Sequence, residues 1–230
     1  MTSRILLDKK IQHLLDEILI MDSMVENATL KAVDALKNHD LELARRVRNN
    51  DRLINKKRFD LENDIIITIA TVQPIMAGDL RLIASILEVV GELERMGDYA
   101  KGIANICLQI GDQPHIKPII DIPRMAEFAV DMLHRAVGAF IAQDSETALL
   151  IPDDDEKVDA LYNQIYRELV TIMLANPTTI DRANLLMWVA HNLERLADRV
   201  TNICERTIFV ATGELKELSP SDDEIQANNK

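Results

Sequence analysis

The chain has 230 residues, of which 47% are hydrophobic and only 3% aromatic, and its formal net charge is −12. A chain this acidic lacks the clustered Lys and Arg side chains that bind phosphate backbones, which argues against a nucleic-acid partner. With only 7 Gly and 7 Pro, the composition is typical of a helical protein and argues against collagen-like or disordered chains.

The N-terminus and the cysteines indicate a soluble intracellular protein. Charged residues interrupt the apolar run within residues 1–10, a pattern that argues against a signal peptide. The most apolar stretch, residues 65–72, is much shorter than a membrane span, so the protein is not expected to cross a membrane. Cys107 and Cys204 are too few for a disulfide framework, and we expect two reduced thiols in the core.

Three long helices are predicted in the first half of the chain. The first covers about residues 4–37, where apolar residues recur at spacings of three and four. After a short turn, the second covers about residues 41–73 and stops before a proline. The third covers about residues 80–110, with Asp79 as its predicted N-cap and Gly111 as its end.

A linker and two further helices follow. Residues 111–118 contain one Gly and two Pro and form the linker between the halves. The fourth helix is predicted over about residues 121–143, and a proline near its start suits a first helical turn. The fifth continues to about residue 175. Pro152 lies inside it, which predicts a kink or a restart of the helix there.

The sixth helix completes an all-α architecture. It is predicted to start at Thr178 or Thr179, either of which can act as a cap, and to continue to about residue 212. Short turns make neighbouring helices antiparallel, so we expect two tandem three-helix bundles. The predicted divisions are a first repeat at 1–112, a second repeat at 117–213 and a loose polar tail at 214–230.

An internal repeat relates the two halves. The run Leu-Glu-Arg-x-x-Asp occurs within residues 91–98 and again within residues 191–198. The register holds on either side of the run, where Val89 corresponds to Val189. Self-similarity at a fixed offset is the sequence signature of a duplicated structural unit.

Each copy of this run carries two acids on one helix face. Glu94 and Asp98 are four residues apart, as are Glu194 and Asp198. Residues at this spacing lie next to each other on a helix, where like charges weaken the helix slightly. A costly arrangement that occurs twice suggests a role, and carboxylate oxygens are ligands for hard cations.

The second helix of each half supplies possible partners for these acids. In the second half, Asp155 and Asp159 are four apart and come level with the acids of the sixth helix when the two helices are antiparallel. In the first half, Asp51 and Asn55 occupy the related run, and Asn55 comes within about a turn of Asp98. The sequence therefore predicts one carboxylate-rich patch per half, with an amide in the first.

Two interpretations of the patches remain open. They suit Mg²⁺, Ca²⁺, Mn²⁺ or iron, but an acidic protein also carries ordinary solvated acidic helix faces.

His191 stands three residues before Glu194, although a di-iron carboxylate bundle uses the opposite order, Glu-x-x-His. We therefore expect His191 to be a surface or core residue.

Up to about residue 213, the chain resembles the PhoU family of phosphate-transport regulators. The resemblance rests on the duplicated bundle and on four motifs, which are the two Leu-Glu-Arg-x-x-Asp runs, Gln73-Pro74 with Asp79-Leu80-Arg81, and Asn202-Ile203-Cys204-Glu205. It implies multinuclear iron or zinc clusters on the paired acids, whereas Mn, Mg or Ca stay open on the carboxylate chemistry alone. The implied ligands are Asp51, Glu94, Asp98, Asp155, Asp159, Glu194 and Asp198. Asn55 departs from the acidic pattern, so a weaker first cluster is expected.

The same resemblance implies a regulatory function. Members of the family look like cytoplasmic, often dimeric adaptors that link the ATPase of a high-affinity phosphate ABC transporter to a sensor histidine kinase. Such an adaptor attaches to the inner membrane only through its partners. We therefore expect a metal-binding, non-enzymatic regulator of phosphate uptake and phosphate-starvation signalling, present as a homodimer.

Two other functions stay open at this point. A carboxylate-bridged metalloenzyme of the ferritin-like class would need histidine ligands on the bundle interior, which the chain does not place at the required spacing. A metal-free helical scaffold would use the acids only as surface charge. Metal analysis of the purified protein separates the scaffold from the metal-binding alternatives.

Overall fold

The computed structural model describes residues 2–218, and within them the protein is helical with no β-strand. This confirms the predicted all-α class. The helices are α1 (Thr2–Asn38), α2 (Leu41–Thr71), α3 (Ala77–Ile110), α4 (Asp121–Ala142), α5 (Ser145–Leu150), α6 (Asp155–Ala175) and α7 (Ile180–Thr212). Residues 214–217 follow α7 without regular structure, and the rest of the predicted tail, 219–230, lies outside the described residues.

The turns of the first half follow the sequence prediction except at α3. Asp40 caps α2, since its Oδ1 accepts a hydrogen bond from the Leu43 amide at 2.8 Å. The prediction of Asp79 as the N-cap of α3 was wrong. The helix begins at Ala77, two residues before Asp79, so Asp79 lies in its first turn. There its carboxylate accepts a hydrogen bond from Arg4 on α1 instead of capping the helix.

The fifth predicted segment is broken, as the position of Pro152 indicated. α5 ends at Leu150, a 3-10 turn covers residues 151–154, and α6 starts at Asp155. Pro152 lies at the start of the 3-10 turn, where the backbone amide has no partner within the turn, so its lack of an N–H group costs no hydrogen bond. The break places Asp155 in the first turn of α6, so this acid lies at the very beginning of its helix.

The start of α7 differs in detail from the prediction. Thr179 precedes the helix, but its hydroxyl donates to the Asn176 carbonyl oxygen at 2.7 Å and makes no capping bond to α7. Asn176 takes the capping role one turn earlier, where its Oδ1 accepts from the Thr178 amide at 3.2 Å. Thr179 therefore occupies the predicted N-cap position of α7, but its side chain does not make the predicted capping hydrogen bond.

The helices form two groups, one from each half of the chain, and the two groups pack against each other. α1, α2 and α3 contact one another in the first half, as do α4, α6 and α7 in the second. The halves meet through α3 with α7 and through α1 with α4, whereas α2 and α6 each contact only their own half. Glu92 faces Arg199 and Gly102 faces Asn192, so α3 and α7 run antiparallel.

The apolar side of each repeated motif points into the core. Leu93 and Met96 are fully buried on α3, and Leu193 and Leu196 are fully buried on α7. Their burial turns the acids of the same motif toward α2 and α6, the outer helices. None of the helices in residues 2–218 combines the length and apolar character that crossing a bilayer requires.

Candidate metal centres

The four acids predicted in the second half are electrostatic neighbours. Burial is the main cause that raises the pKa of Asp155 to about 7, and the nearby charges of Asp159, Asp198 and Glu194 contribute to this rise in that order of importance. Burial also raises the pKa of Asp159, with the charge of Asp198 as the second cause. Two acids from α6 and two from α7 therefore share one patch, which we call the second patch.

The acids contributed by α7 are perturbed in the same way. Burial followed by the charge of Asp198 raises the pKa of Glu194, although His191 and Arg195 oppose the shift. The pKa of Asp198 is raised by burial against the opposing charges of Arg195, Arg199 and His191. Carboxylates that are held together and partly desolvated resist ionisation, and a bound cation would relieve both effects.

Two carboxylate oxygens in the second patch lack hydrogen-bond partners. They are Asp155 Oδ1 and Glu194 Oε2, both buried. His191 Nδ1 lies 3.2 Å from Glu194 Oε2 but without hydrogen-bond geometry, and Arg195 Nη1 takes up Asp198 Oδ2 at 2.9 Å. Buried acceptors without donors are a costly arrangement that a cation would satisfy, so the residues fit a metal.

The spacing of the second patch is wide for a single ion. Within residues 2–218, no three of its four acids hold carboxylate oxygens within 4.8 Å of one another. Ligands of one hard cation lie about 2.0–2.6 Å from it, so neighbouring ligand atoms are about 3–4 Å apart and opposite ones at most about 5 Å apart. Side chains of the second patch would therefore have to move to bring three of these carboxylates onto one ion.

The first patch, formed by Asp51, Asn55, Glu94 and Asp98, contains its own cations. Lys101 Nζ lies 2.8 Å from Asp51 Oδ2 and 3.3 Å from Asp98 Oδ1, so it bridges α2 and α3. Asn55 Nδ2 donates to the same Asp51 oxygen at 2.9 Å. These bonds bring Asp51, Asn55 and Asp98 together as predicted, but around a lysine.

The remaining acid of the first patch is also paired. Arg58 Nη1 on α2 lies 3.1 Å from Glu94 Oε1 on α3. With Lys101 and Arg58 in place, the three carboxylates already have counter-charges, and this conformation of the first patch does not fit a multivalent cation. An incoming ion would have to displace both side chains.

Lys101 and Arg58 were missed by the sequence reasoning, although a signal for them exists. Lys101 stands three residues after Asp98, a spacing that places it on the same helix face. The repeat places Thr201 where the first half has Lys101. Burial and then the charge of Glu194 raise the pKa of Tyr162, and the offset of 104 residues places this tyrosine where the first half has Arg58. A comparison of cations as well as acids between the halves would have shown this difference.

The histidine and the cysteines fall outside the predicted ligand set. His191 was expected to be an ordinary surface or core residue, yet it borders the second patch and packs edge-on against Trp188. Cys107 and Cys204 are buried free thiols, as predicted, and burial raises their pKa values to about 11 and about 12. Thiols with such pKa values stay protonated at neutral pH and are poor nucleophiles and metal ligands.

Both halves match the same protein family. The PhoU domain is found at residues 18–107 and again at residues 122–207, which together make up most of the chain. The chain belongs to the PhoU family. The family resemblance and the internal duplication predicted from sequence are thereby confirmed.

Individual PhoU proteins support this membership over nearly the whole chain. A phosphate-specific transport system accessory protein PhoU homolog from Aquifex aeolicus is 38% identical over 207 residues, which cover 90% of this chain and 93% of that protein. The crystal structure of PhoU from Pseudomonas aeruginosa matches with a TM-score of 0.84 at 32% identity, over 90% of this chain and 99% of that one.

A third PhoU protein agrees in fold. The crystal structure of the phosphate transport system regulatory protein PhoU from Streptococcus pneumoniae matches with a TM-score of 0.85 at 29% identity, over 92% of this chain and 100% of that one. These PhoU proteins are named as accessory and regulatory proteins rather than as enzymes, in agreement with the non-enzymatic protein expected from sequence.

Proposed function

We propose that this protein is an accessory regulator of phosphate uptake and phosphate-starvation signalling. The observation that carries the proposal is the match of both repeats to the PhoU domain, in a chain whose relatives are named for a phosphate-specific transport system. The structure is compatible with an adaptor, because six long antiparallel helical segments offer extended surfaces on both halves.

The proposed partners are two proteins at the inner membrane. One is the ATPase of a high-affinity phosphate ABC transporter, and the other is a sensor histidine kinase. The adaptor would lie in the cytoplasm as a homodimer and would reach the membrane through these partners. Exposed apolar side chains on α1 and α2, among them Leu19, Ile20, Leu53, Phe59 and Ile66, supply surface for such contacts.

Metal binding is proposed for the second patch. Its unpartnered Asp155 and Glu194 oxygens support a site for iron, zinc or another divalent ion, held between α6 and α7 by four carboxylates. The first patch is proposed to bind metal weakly or not at all, because Lys101 and Arg58 already balance its acids.

A pull-down combined with a reporter measurement tests the regulatory proposal. The tagged protein, isolated from phosphate-replete cells, should recover the transporter ATPase and the sensor kinase. Deleting its gene should switch on a phosphate-starvation promoter in phosphate-rich medium, and the wild-type gene should switch it off again. A deletion strain with normal promoter activity, together with a pull-down that contains neither partner, would refute the regulatory role.

A further inference from the structure

A third cluster of potential ligands lies between the two halves, away from both acidic patches. Asp22 and Glu26 on α1 and His134 on α4 place two carboxylate oxygens and a ring nitrogen within 4.8 Å of one another. His134 Nδ1 is 3.0 Å from Glu26 Oε1. We propose that these three side chains form a binding site for a divalent transition-metal ion of the Zn²⁺ type, which bridges α1 and α4.

The state of Asp22 is an independent reason to expect a ligand there. Its side chain lies in the interface with only 2% of the residue exposed, and its Oδ1 has no hydrogen-bond partner. A buried carboxylate oxygen without a donor is strongly disfavoured, more so with a second carboxylate nearby. An ion at the centre of the cluster would satisfy this oxygen and offset the repulsion between Asp22 and Glu26.

The donor set selects the class of ion. One imidazole with two carboxylates suits borderline ions such as Zn²⁺, whereas Mg²⁺ and Ca²⁺ prefer sites made of oxygen alone. Three protein ligands leave the fourth position of a tetrahedral ion for water. The three ligand atoms lie within 4.8 Å of one another, a spacing that the ligands of one ion can have.

Exposure changes across the cluster in a way that permits an ion to enter. The side chain of His134 is 73% exposed and that of Glu26 is 20% exposed, whereas Asp22 is closed off. Asp22 and Glu26 are one helical turn apart and present a fixed pair of acids on α1, so the histidine can close over an ion from the solvent side. The cluster was missed in the sequence because its members come from helices in different halves.

The position of the site gives it a structural consequence. α1 belongs to the first half and α4 to the second, so a bound ion would add a coordination link across the contact between the repeats. An ion that binds only the folded protein raises its free energy of unfolding, and above the dissociation constant this rise grows with the logarithm of the ion concentration. This inference does not depend on the regulatory function or on metal binding at the second patch.

Zinc titration of metal-free protein tests the site. The protein should be purified without immobilised-metal resin, stripped with chelator, and carry Glu194→Gln with Asp198→Asn so that the second patch does not compete. Calorimetry should then show one Zn²⁺ per chain, and saturating Zn²⁺ should raise Tm. Adding His134→Ala or Glu26→Gln should weaken this binding at least tenfold and make the rise in Tm smaller at the same Zn²⁺ concentration.

A matched histidine provides the control. His13 is also exposed on α1 and lies 3.9 Å from a single carboxylate, that of Asp64, so His13→Ala should leave Zn²⁺ affinity unchanged. His134 is a surface residue, and its replacement by alanine should not disturb folding. Binding that is equally tight without His134, or no Zn²⁺ uptake by protein with His134 intact, would overturn the proposal and leave Asp22 neutralised by a proton.

Discussion

At the scale of single residues, the cations beside the acids distinguish the two patches more than the acids themselves. Glu94 and Asp98 match Glu194 and Asp198 in sequence, yet the first pair faces Arg58 and Lys101. Opposite charges at hydrogen-bond distance neutralise a carboxylate without any metal. A motif of paired acids therefore indicates a cation-binding surface, and its neighbours decide whether the cation is a side chain or an ion.

Removing the second-patch acids should abolish metal binding there. In Glu194→Gln with Asp198→Asn, we expect loss of the bound metal, since two of four anionic ligands become neutral. The metal-free variant should be about 0.2–0.5 kcal/mol more stable, because like charges one turn apart are removed. Elemental analysis and urea unfolding measure both effects. Glu156→Gln, which neutralises an exposed acid on the neighbouring helix α6, serves as the control, and equal metal content in wild type and both variants would mean that the patch acids are ordinary surface charge.

The first patch should gain metal affinity when its own cation is removed. Lys101→Gln releases Asp51 and Asp98, and Asn55→Asp then adds a fourth carboxylate. We expect the double variant to bind Mn²⁺ or Fe²⁺ at the first patch and the wild type to bind little there. Without metal it should lose about 1 kcal/mol or less, since the lysine pairs are partly exposed.

The comparison for this variant is Lys56→Gln, which neutralises an exposed lysine of α2 and should not change metal affinity. Calorimetric titration with Mn²⁺ or Fe²⁺ measures the metal affinity of the Lys56→Gln control and of the Lys101→Gln, Asn55→Asp protein. Equal affinities in wild type and in the Lys101→Gln, Asn55→Asp protein would mean that the geometry of α2 and α3 does not support a site.

The stability of the metal-free protein should depend on pH through Asp155. Its folded-state pKa of about 7 lies above the unfolded value of about 3.9, so the folded protein binds the proton more tightly. The resulting stabilisation is fully present below about pH 4 and is lost as pH rises through 7. Urea unfolding midpoints of chelated wild type should therefore fall between pH 5 and pH 8. The unfolding midpoint of Asp155→Asn should fall less over this pH range, and parallel curves for the two proteins would contradict a raised pKa of Asp155.

At the scale of helices, the caps and breaks determine where each side chain lies along the helix axis relative to the neighbouring helix. Asp40 starts α2 three residues after α1 ends, and Pro152 restarts the fifth segment so that Asp155 begins α6. The acids of α2 and α6 are related by an offset of 104 residues, whereas the repeated motifs of α3 and α7 are related by an offset of 100 residues. Asp155 therefore lies four residues closer in sequence to Glu194 than Asp51 lies to Glu94, and the connection from α6 to α7 is shorter than the connection from α2 to α3.

Asp40 gives the clearest test of a cap. Asp40→Ala removes the acceptor for the Leu43 amide and should lower the free energy of unfolding by about 1 kcal/mol. Asp40→Asn keeps an acceptor oxygen at the same position and should be nearly neutral. Thermal and urea unfolding separate the two variants. A loss of equal size in both would assign the effect to charge rather than to the capping bond.

At the scale of the whole molecule, the antiparallel contact between α3 and α7 joins the repeats into one core. Gly102 allows close approach, because a Cβ atom there would lie 3.0 Å from Asn192 Oδ1. Asn192 is itself held by a bond to the Trp188 carbonyl oxygen at 2.7 Å. The equivalent of Glu92 is Asn192, so the interface is duplicated in position but not in chemistry.

A bulky residue at Gly102 should wedge the halves apart. Gly102→Val is expected to lower the free energy of unfolding by about 1–3 kcal/mol through overpacking against α7. Gly91→Val on the same helix meets no atom within 4 Å of its Cβ and should gain a few tenths of a kcal/mol, about the difference in helix propensity. If both variants changed stability alike, helix propensity alone would explain them.

The sequence by itself determined the helices, the duplication and the identity of the paired acids. These depend on local information: apolar spacing within one helix, prolines that end a helix, and a motif that recurs at a fixed offset. Hence the all-α fold, the break at Pro152 and the family were all predicted correctly. The cap at Asp79 was not, because Arg4 on another helix takes up its carboxylate.

Only the tertiary structure decided which charges meet. Lys101 reaches Asp51 across 50 residues of sequence, and His134 reaches Glu26 across 108. Such contacts depend on how far each helix is rotated and shifted against its neighbour, which the whole packed core sets and no single helix encodes. The tertiary structure therefore separates a first patch closed by its own cations, a second patch with unpartnered oxygens, and a third cluster at the contact between the halves.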